Sequence, residues 1–328
     1  MNLTEKDIKL LNSLFENSKK SNRELSKEVG FSKETIAIKI NSYLENGTIK
    51  NFSLKVNYDI LGFKEYNLFI RLKNTSEKSF ENIINYLENY NNTTWIGKCF
   101  GKYDLKVSII LKDITKINLV INDIYNNFGK NILLIDSLLV VDKYKVTNSF
   151  FFNHLFGISN LNKMIVDKSK SNEILNFNLD KIDKYILYEF GKNPKQNYSK
   201  IALSLNLTAE AIKYRIKNLE KKQIILGNSI VFNGNKFNKI WCIVLININP
   251  EKLLEFKSYL KEKDFLSSYV ETIGTKNIAV TFFASNIENL NKDLNNIRDK
   301  FSQNIRDFDF LIFFEIYKYP KIPKCILD

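Results

Sequence analysis

One histidine and three cysteines are spread over 328 residues. That scarcity argues against zinc sites and nucleophile–histidine pairs, which need His or Cys at close spacing. The single histidine, His154, stands among Phe150, Phe151, Phe152 and Phe156, a setting that favours packing over catalysis. Cys99, Cys242 and Cys325 are scattered and odd in number, which argues against a disulfide framework and fits a reducing cytoplasm. Long apolar runs are lacking too. The best stretch, "IWCIVLINI" from Ile240, has strand length and falls well short of the roughly 20 residues that span a bilayer. "MNLTEKD" offers neither the basic region nor the apolar core of a signal peptide. The final "CILD" has the outline of a prenylation box, but its terminal Asp is atypical. "FGKNPK" and "FGKYD" lack the glycine spacing of a phosphate loop. No catalytic residue, metal or cofactor is therefore expected.

What is abundant is positive charge and apolar surface. Lys and Arg number 49 against 36 Asp and Glu, a formal charge of +13 and a pI near 9.3. This balance favours an anionic partner, most simply nucleic acid. At 44% hydrophobic and 13% aromatic the chain can bury real cores, and its length calls for more than one domain.

The chain repeats itself. "LTEKDIKLLNSLFEN" from Leu3 overlays "LDKIDKYILYEFGKN" from Leu179, with Asp7 on Asp183, a shift of 176 residues. The same shift matches Leu11 to Leu187, Lys19 to Lys195, Glu34 to Glu210, Ile40 to Ile216 and Asn57 to Asn233. A period this long means duplicated domains. Each copy opens with three helical segments. Ile8, Leu11, Leu14 and Phe15 recur at helical spacing, Ser21 and Glu24 form a capping box, and Ser32 caps a third helix. That is a helix-turn-helix pattern. "FSLKVNYDI" and "GNSIVFNG" then read as connecting strands, and each copy continues β-α-β-β-α-β, the ferredoxin-like order. The expected class is α+β, with a helix-turn-helix over 1–50, a connecting strand over 51–64 and a ferredoxin-like domain over 65–146. A linker over 147–178 precedes the second helix-turn-helix (179–227), strand (228–239), ferredoxin-like domain (240–319) and a tail (320–328).

This order resembles the Lrp/AsnC, or feast/famine, family of transcriptional regulators, here in tandem. The residues that carry the resemblance are "LTEKDIKLL" and "LDKIDKYIL", "ELS" and "KIA", "RIKNLE", "NGTI" and "GKYD" at Gly101 to Asp104. The chain departs from the pattern at Lys39 in place of the recognition-helix Arg, at Gln223 in place of the Gly after the helix, and at Asn277 in place of Asp. The resemblance implies two DNA-reading heads in one chain. It further implies ferredoxin-like domains paired within it as a pseudo-dimer, open to further homo-oligomerisation, and a small effector such as an amino acid at Gly101, Tyr103 and Asp104. The alternative for that turn is that Gly101 and Asp104 only shape it.

A helical wheel with Ile212, Ile216 and Leu219 inward puts Glu210, Tyr214, Lys217, Asn218 and Lys221 outward. Lys213, Arg215 and Lys222 flank them, and Thr208 precedes them. The first copy presents Glu34, Ile38, Asn41, Ser42 and Glu45, with Lys33, Thr35 and Lys39 beside them and Lys19, Lys20 and Arg23 in reserve. Residues 1–50 carry nine basic and seven acidic side chains (+2), and 179–226 carry ten and five (+5). Phosphate neutralisation dominates affinity, so the second head is expected to be the stronger binder. An enzyme on the same scaffold, like the siroheme decarboxylases that also pair two such halves, would be expected to bring His-bearing haem pockets. A ligand-sensing module without DNA contact is the third reading.

Overall fold

The computed structural model describes residues 3–73, 75–146, 165–166, 177–237, 239–319 and 322–328. The aromatic segment around His154 lies outside them. Two compact units interleave along the chain: 1–63 with 173–237 and 319–328, and 64–172 with 238–318. Among the described residues no helix is long and apolar enough to cross a membrane.

The first unit holds both trihelical segments. Helices α1 (Glu5–Glu16), α2 (Asn22–Val29) and α3 (Lys33–Glu45) lead into strand β1 (Ile49–Val56). Their repeats are α6 (Lys181–Lys192), α7 (Tyr198–Leu205), α8 (Ala209–Lys221) and β7 (Ile225–Phe232). Each helix starts where a side chain can accept from an otherwise unpartnered backbone N–H: Thr4, Ser21 and Ser32, then Asp180, Asn197 and Thr208. Such caps are each worth about 1 kcal/mol. The apolar stripes meet in two small cores, Leu10, Leu11, Leu14, Leu25 and Ile36 in one and Ile186, Leu187, Ile201, Ile212 and Ile216 in the other, all buried.

β1 and β7 pair antiparallel, and their register carries the duplication. Ser53 faces Ser229, its own repeat at a shift of 176. Phe52 faces Ile230 and Leu54 faces Asn228, so every pair has a partner pair reflected through the Ser53–Ser229 centre. Even the irregularities correspond, one between Ile49 and Asn51, the other between Lys55 and Val56 opposite Gly227 and Ile225. The amides of Asn57 and Asn233 close the two ends on the carbonyls of Ile224 and Thr48, both at 2.9 Å. A local twofold axis thus relates the two heads. The Ser229 hydroxyl donates to the Phe15 carbonyl at 2.6 Å, tying one head to the other copy's strand. The expected tail is docked on this unit: Ile322 packs against Gly191, and Cys325 and Ile326 are buried.

In the second unit the first copy runs β2 (Lys64–Leu72), α4 (Glu77–Asn89), β3 (Thr93–Gly101), β4 (Leu105–Leu111), α5 (Ile117–Phe128) and β5 (Ile132–Val146). A two-residue strand, β6 (Ile165–Val166), adds to the end of β5. The second copy runs β8 (Ile240–Ile248), α9 (Leu253–Lys261), β9 (Leu266–Ile273), β10 (Ile278–Ala284), α10 (Ile287–Phe301) and β11 (Ile305–Lys318). This is the ferredoxin-like order twice. Pairing of Ile70 with Leu105 and of Ile246 with Ile278 shows the shift falling from 176 to 173 beyond the shorter helix α9.

Neither copy keeps its sheet to itself. The strand order β2-β4-β3-β11-β8-β10-β9-β5 returns to β2, an eight-stranded closed ring. β5 and β11 are 15 and 14 residues long, against a usual five or six, because each does two jobs. β5 lies on β2 from Ile132 to Leu139 and on β9 from there onward; β11 lies on β8 and then on β3. Closure removes the open strand edges that either copy alone would expose. Inside the ring Phe69, Cys99, Leu138, Ile243, Leu245, Leu311 and Phe313 form one core drawn from both copies. Outside, α4 and α5 cover a second core of Leu68, Ile83, Leu87, Ile96, Val107 and Ile124.

Gln223 stands with φ +55°, the left-handed region, where its repeat is Gly47 at +71°. A side chain there costs about 1 kcal/mol. Gln223→Gly is expected to raise the stability of the first unit by about 1 kcal/mol. Asn206→Gly, at φ +52°, should gain less, because Asn tolerates this region. Denaturant midpoints of the two variants check the order.

Candidate nucleic-acid interface

In each trihelical segment a basic side chain ties the third helix to the start of the first. In the second copy Arg215, on α8, forks onto Asp180 at 2.8 Å and Asp183 at 2.7 Å, at the start of α6. In the first, Lys39 on α3 reaches Asp7 at 2.6 Å, and the Tyr43 hydroxyl donates to the same oxygen at 2.5 Å. Asp7 is buried and also closes the capping box with Thr4. Burial alone would raise its pKa, but bonds from Lys39, Thr4 and Tyr43 hold it far below the usual carboxylate range. Tyr43 is driven upward by burial and by Asp7. Lys39 and Arg215, expected among the DNA contacts, thus have their charged ends turned inward onto the first helix. The shared shift that pairs Asp7 with Asp183 and Lys39 with Arg215 was the signal that they belong together.

Lys19 and Lys20 are likewise committed within the unit. Lys19 pairs with Glu220 of the other copy at 3.0 Å and lies 4.7 Å from the Phe190 ring centre. Lys20 meets Glu28 at 2.8 Å and Ser13 at 3.0 Å. Arg23, by contrast, is exposed.

The outer face of α8 stays open. Glu210, Lys213, Lys217, Lys221 and Lys222 are exposed, Asn218 is half-buried, and Tyr214 stands 67% exposed at the centre. Thr208 caps the helix by accepting from the Ala211 N–H at 3.1 Å. On α3 the matching centre is Ile38, 68% exposed, flanked by Glu34, Asn41, Ser42 and Glu45. Lys33 is exposed there, and the Thr35 hydroxyl is taken up by Ser32 at 3.0 Å. One helix is thus basic around an aromatic hydroxyl, the other near-neutral around an aliphatic side chain.

The Gly101–Asp104 turn is built as a joint between copies. Gly101 has φ +138°, and a Cβ there would come within 2.3 Å of the Phe310 carbonyl oxygen on β11. Its repeat Gly274, at φ +149°, meets the Ser137 carbonyl on β5 in the same way. The Asp104 carboxylate accepts from the Leu72 N–H at 2.7 Å. Asn277 does this job in the second copy, accepting from the Ile248 N–H at 3.0 Å and donating back to the Ile248 carbonyl at 2.7 Å. Tyr103 is buried with its hydroxyl on Asp136, and its repeat, the buried Lys276, bonds Asp309 at 2.6 Å. Each acid also takes a bond across the joint, Asp136 from Thr275 and Asp309 from Lys102. The groups expected to meet an effector are thus largely engaged with one another. Among the described residues no cluster of His, Cys, Asp and Glu has the makings of a metal site.

The structure defines a tandem of winged helix-turn-helix heads and ferredoxin-like domains. A family model for winged helix-turn-helix DNA-binding domains matches 3–50 and again 179–225. The HTH-type transcriptional regulator LrpA of Pyrococcus horikoshii is 32% identical over 113 residues, covering 34% of this chain and 80% of that protein. The HTH-type transcriptional regulator Ptr1 of Methanocaldococcus jannaschii is 30% identical over 117 residues, 35% of this chain and 79% of its own. The chain belongs to the Lrp/AsnC family of transcriptional regulators. Over its whole length its fold is similar to that of the siroheme decarboxylase NirDL, at a TM-score of 0.60 and 12% identity, covering 98% of this chain and 94% of that one.

A carboxylate with a depressed pKa stabilises the fold above its unfolded value and loses that contribution as pH falls through the folded one. Asp7 should therefore stabilise the first unit fully above about pH 4 and progressively less below it. Asp7→Asn is expected to lower neutral-pH stability by about 1–3 kcal/mol and to flatten the acid limb. Unfolding followed from pH 7 to pH 2 tests both.

Proposed function

We propose that this protein is a sequence-specific DNA-binding transcriptional regulator that reads an asymmetric site with two unlike heads in the cytoplasm. The observation that carries the reading is the open face of α8: Lys213, Lys217, Lys221 and Lys222 around Tyr214, with Arg215 turned inward to hold the helix. The lysines neutralise phosphates, while Tyr214 and Asn218 face base edges and sugars. Thr208 and Glu210 stand at the end of the helix that enters the groove first. The first head contributes Ile38, suited to a thymine methyl, with Lys33 and Arg23 toward the backbone. Two heads about a local twofold axis call for inverted half-sites, roughly 34 Å or a multiple apart. Their different faces call for half-sites of different sequence. A small effector, such as an amino acid, acting through the ferredoxin-like domains completes the reading, as does assembly into larger homo-oligomers. The likeness to a decarboxylase is one of fold. A purified chain that carried a tetrapyrrole absorption band and bound DNA only weakly would overturn the regulator.

Genomic sites recovered with the full chain and aligned should show two unequal half-site motifs. Lys217→Glu with Lys221→Glu is expected to weaken binding about a hundredfold and reduce the salt slope by about two. Lys33→Glu with Arg23→Glu should cost much less. Equal losses from the two pairs, or a perfectly palindromic site, would refute the division of labour.

A further inference from the structure

Gly191 is out of character for its place. It sits in the last turn of α6, just before the helix ends at Lys192. Glycine is the poorest helix former after proline, and Gly191 does not use its backbone freedom, since its φ lies outside the left-handed region. What it supplies is room. A Cβ there would collide with the Ile322 side chain. The shift of 176 sets Gly191 on Phe15 of α1. The first head thus carries a phenyl ring at a position where the second carries no side chain, and the tail brings an apolar group to it.

The tail is shaped to be held. Ile322, Pro323, Cys325 and Ile326 are buried, while Lys324, Leu327 and Asp328 stay exposed. A short 3-10 turn, Lys324–Ile326, separates the two sets. The amides of Ile326 and Leu327 bond the carbonyls of Pro323 and Lys324 at 3.2 and 3.0 Å. A single turn is not stable on its own, so this shape comes from the surface that receives it. The tail follows directly from β11, and the chain passes from the second unit to the first between Lys318 and Tyr319. The end of β11 is itself fixed, by pairing of Lys318 with Ile96 and by the Lys318 ammonium on the Glu88 carbonyl at 2.6 Å.

The receiving helix is also the one that seats α8. Asp180 caps α6 and Asp183 stands in its first turn, and both take the Arg215 guanidinium. Gly191 lies roughly two turns further along the same helix. Between them Ile186, Leu187 and Phe190 are buried in the core of the second head. Tail and third helix are therefore seated on one rod.

We propose that the docked tail holds the second head in the arrangement that binds DNA, and that release of the tail weakens this head alone. Ile322 is the positioning residue and the slot over Gly191 is its seat. The effect on DNA rests on the regulator reading; the docking does not. Linkage is reciprocal: what the docked tail adds to DNA affinity, bound DNA adds to docking of the tail.

Cys325 reports the docking. Its thiol is buried with the tail, while Cys99 and Cys242, buried in the second unit, serve as references. The full chain is treated with a thiol-alkylating reagent, and each cysteine is followed by mass spectrometry. The measurement is made with and without double-stranded DNA carrying a recovered genomic site. Gly191→Ala, which drives Ile322 from its slot, should speed alkylation of Cys325 and weaken DNA binding, each about tenfold. The substitution favours the helix itself, so a loss of binding is not a loss of α6. Adding Ile322→Ala makes room for the new methyl and should return both values toward wild type. Cys99 and Cys242 should stay protected throughout. On top of Lys217→Glu and Lys221→Glu, Gly191→Ala should cost no further affinity, because the head it acts on is already lost. Saturating DNA should slow Cys325 alkylation in the wild type about tenfold. Exposure of Cys325 in Gly191→Ala with unchanged DNA affinity overturns the proposal and leaves the regulator. Unchanged Cys325 reactivity in that variant overturns the docking itself. A chain that binds no DNA removes the regulator and the coupling, while Cys325 still decides the docking.

Discussion

A strand edge carries a row of N–H and C=O groups that must be paired, and the second unit is organised by that requirement. Each ferredoxin-like copy by itself ends in two edges. The structure joins β3 to β11 and β5 to β9, so all four edges vanish at once. The long strands β5 and β11 follow from this, as does the close approach that leaves no room for a Cβ at Gly101 and Gly274. The interior core has residues of both copies in contact, so neither copy completes it alone. Because the two are one polypeptide, their pairing is intramolecular and takes place at high effective concentration.

The helices and their order were legible in the sequence because two independent signals coincide there, the 3.6-residue apolar stripe and a polar cap at its start. Thr4, Ser21, Ser32 and Thr208 all cap where the pattern begins. The β-α-β-β-α-β order was legible for the same reason. Partnership was not. A strand's periodicity says which face is buried and nothing about which strand lies alongside, so the pairing of β1 with β7 is set only by the folded chain. The helical wheel also failed to separate Arg215 from Lys217. Both stand off the apolar stripe, but Arg215 is close enough to the start of α6 to be captured by Asp180 and Asp183. Gly101 and Asp104 were legible as a turn, while the reason for the turn is a carbonyl some 200 positions away in sequence.

Duplication inside one chain supplies a control for each position. Where both copies keep a chemistry, the role is structural: Asp7 and Asp183 anchor the third helix, and Asp104 and Asn277 clamp the same backbone amide position. Where they diverge on an exposed face, the fold is indifferent and the difference is free to serve a partner. Asn41 against Lys217, Glu45 against Lys221 and Ile38 against Tyr214 are of that kind. A homodimer must show the same face twice; a fused pair need not.

Divergence at a buried position has another meaning, since there the fold is not indifferent. Val120 against Asp293 exchanges a packed methyl pair for a half-buried carboxyl group, and Leu111 against Ala284 shortens a buried side chain to one methyl. Each change alone lowers stability, the first by stranding a polar group and the second by opening a void. The closed ring makes such a loss tolerable. The first copy keeps its helix-to-sheet core intact, and the shared interior is untouched because Asp293 and Ala284 lie outside it. Fusion therefore does more than tie two heads together: it lets one half keep its helix-to-sheet core packed while the other accepts changes that a homodimer would have to make twice.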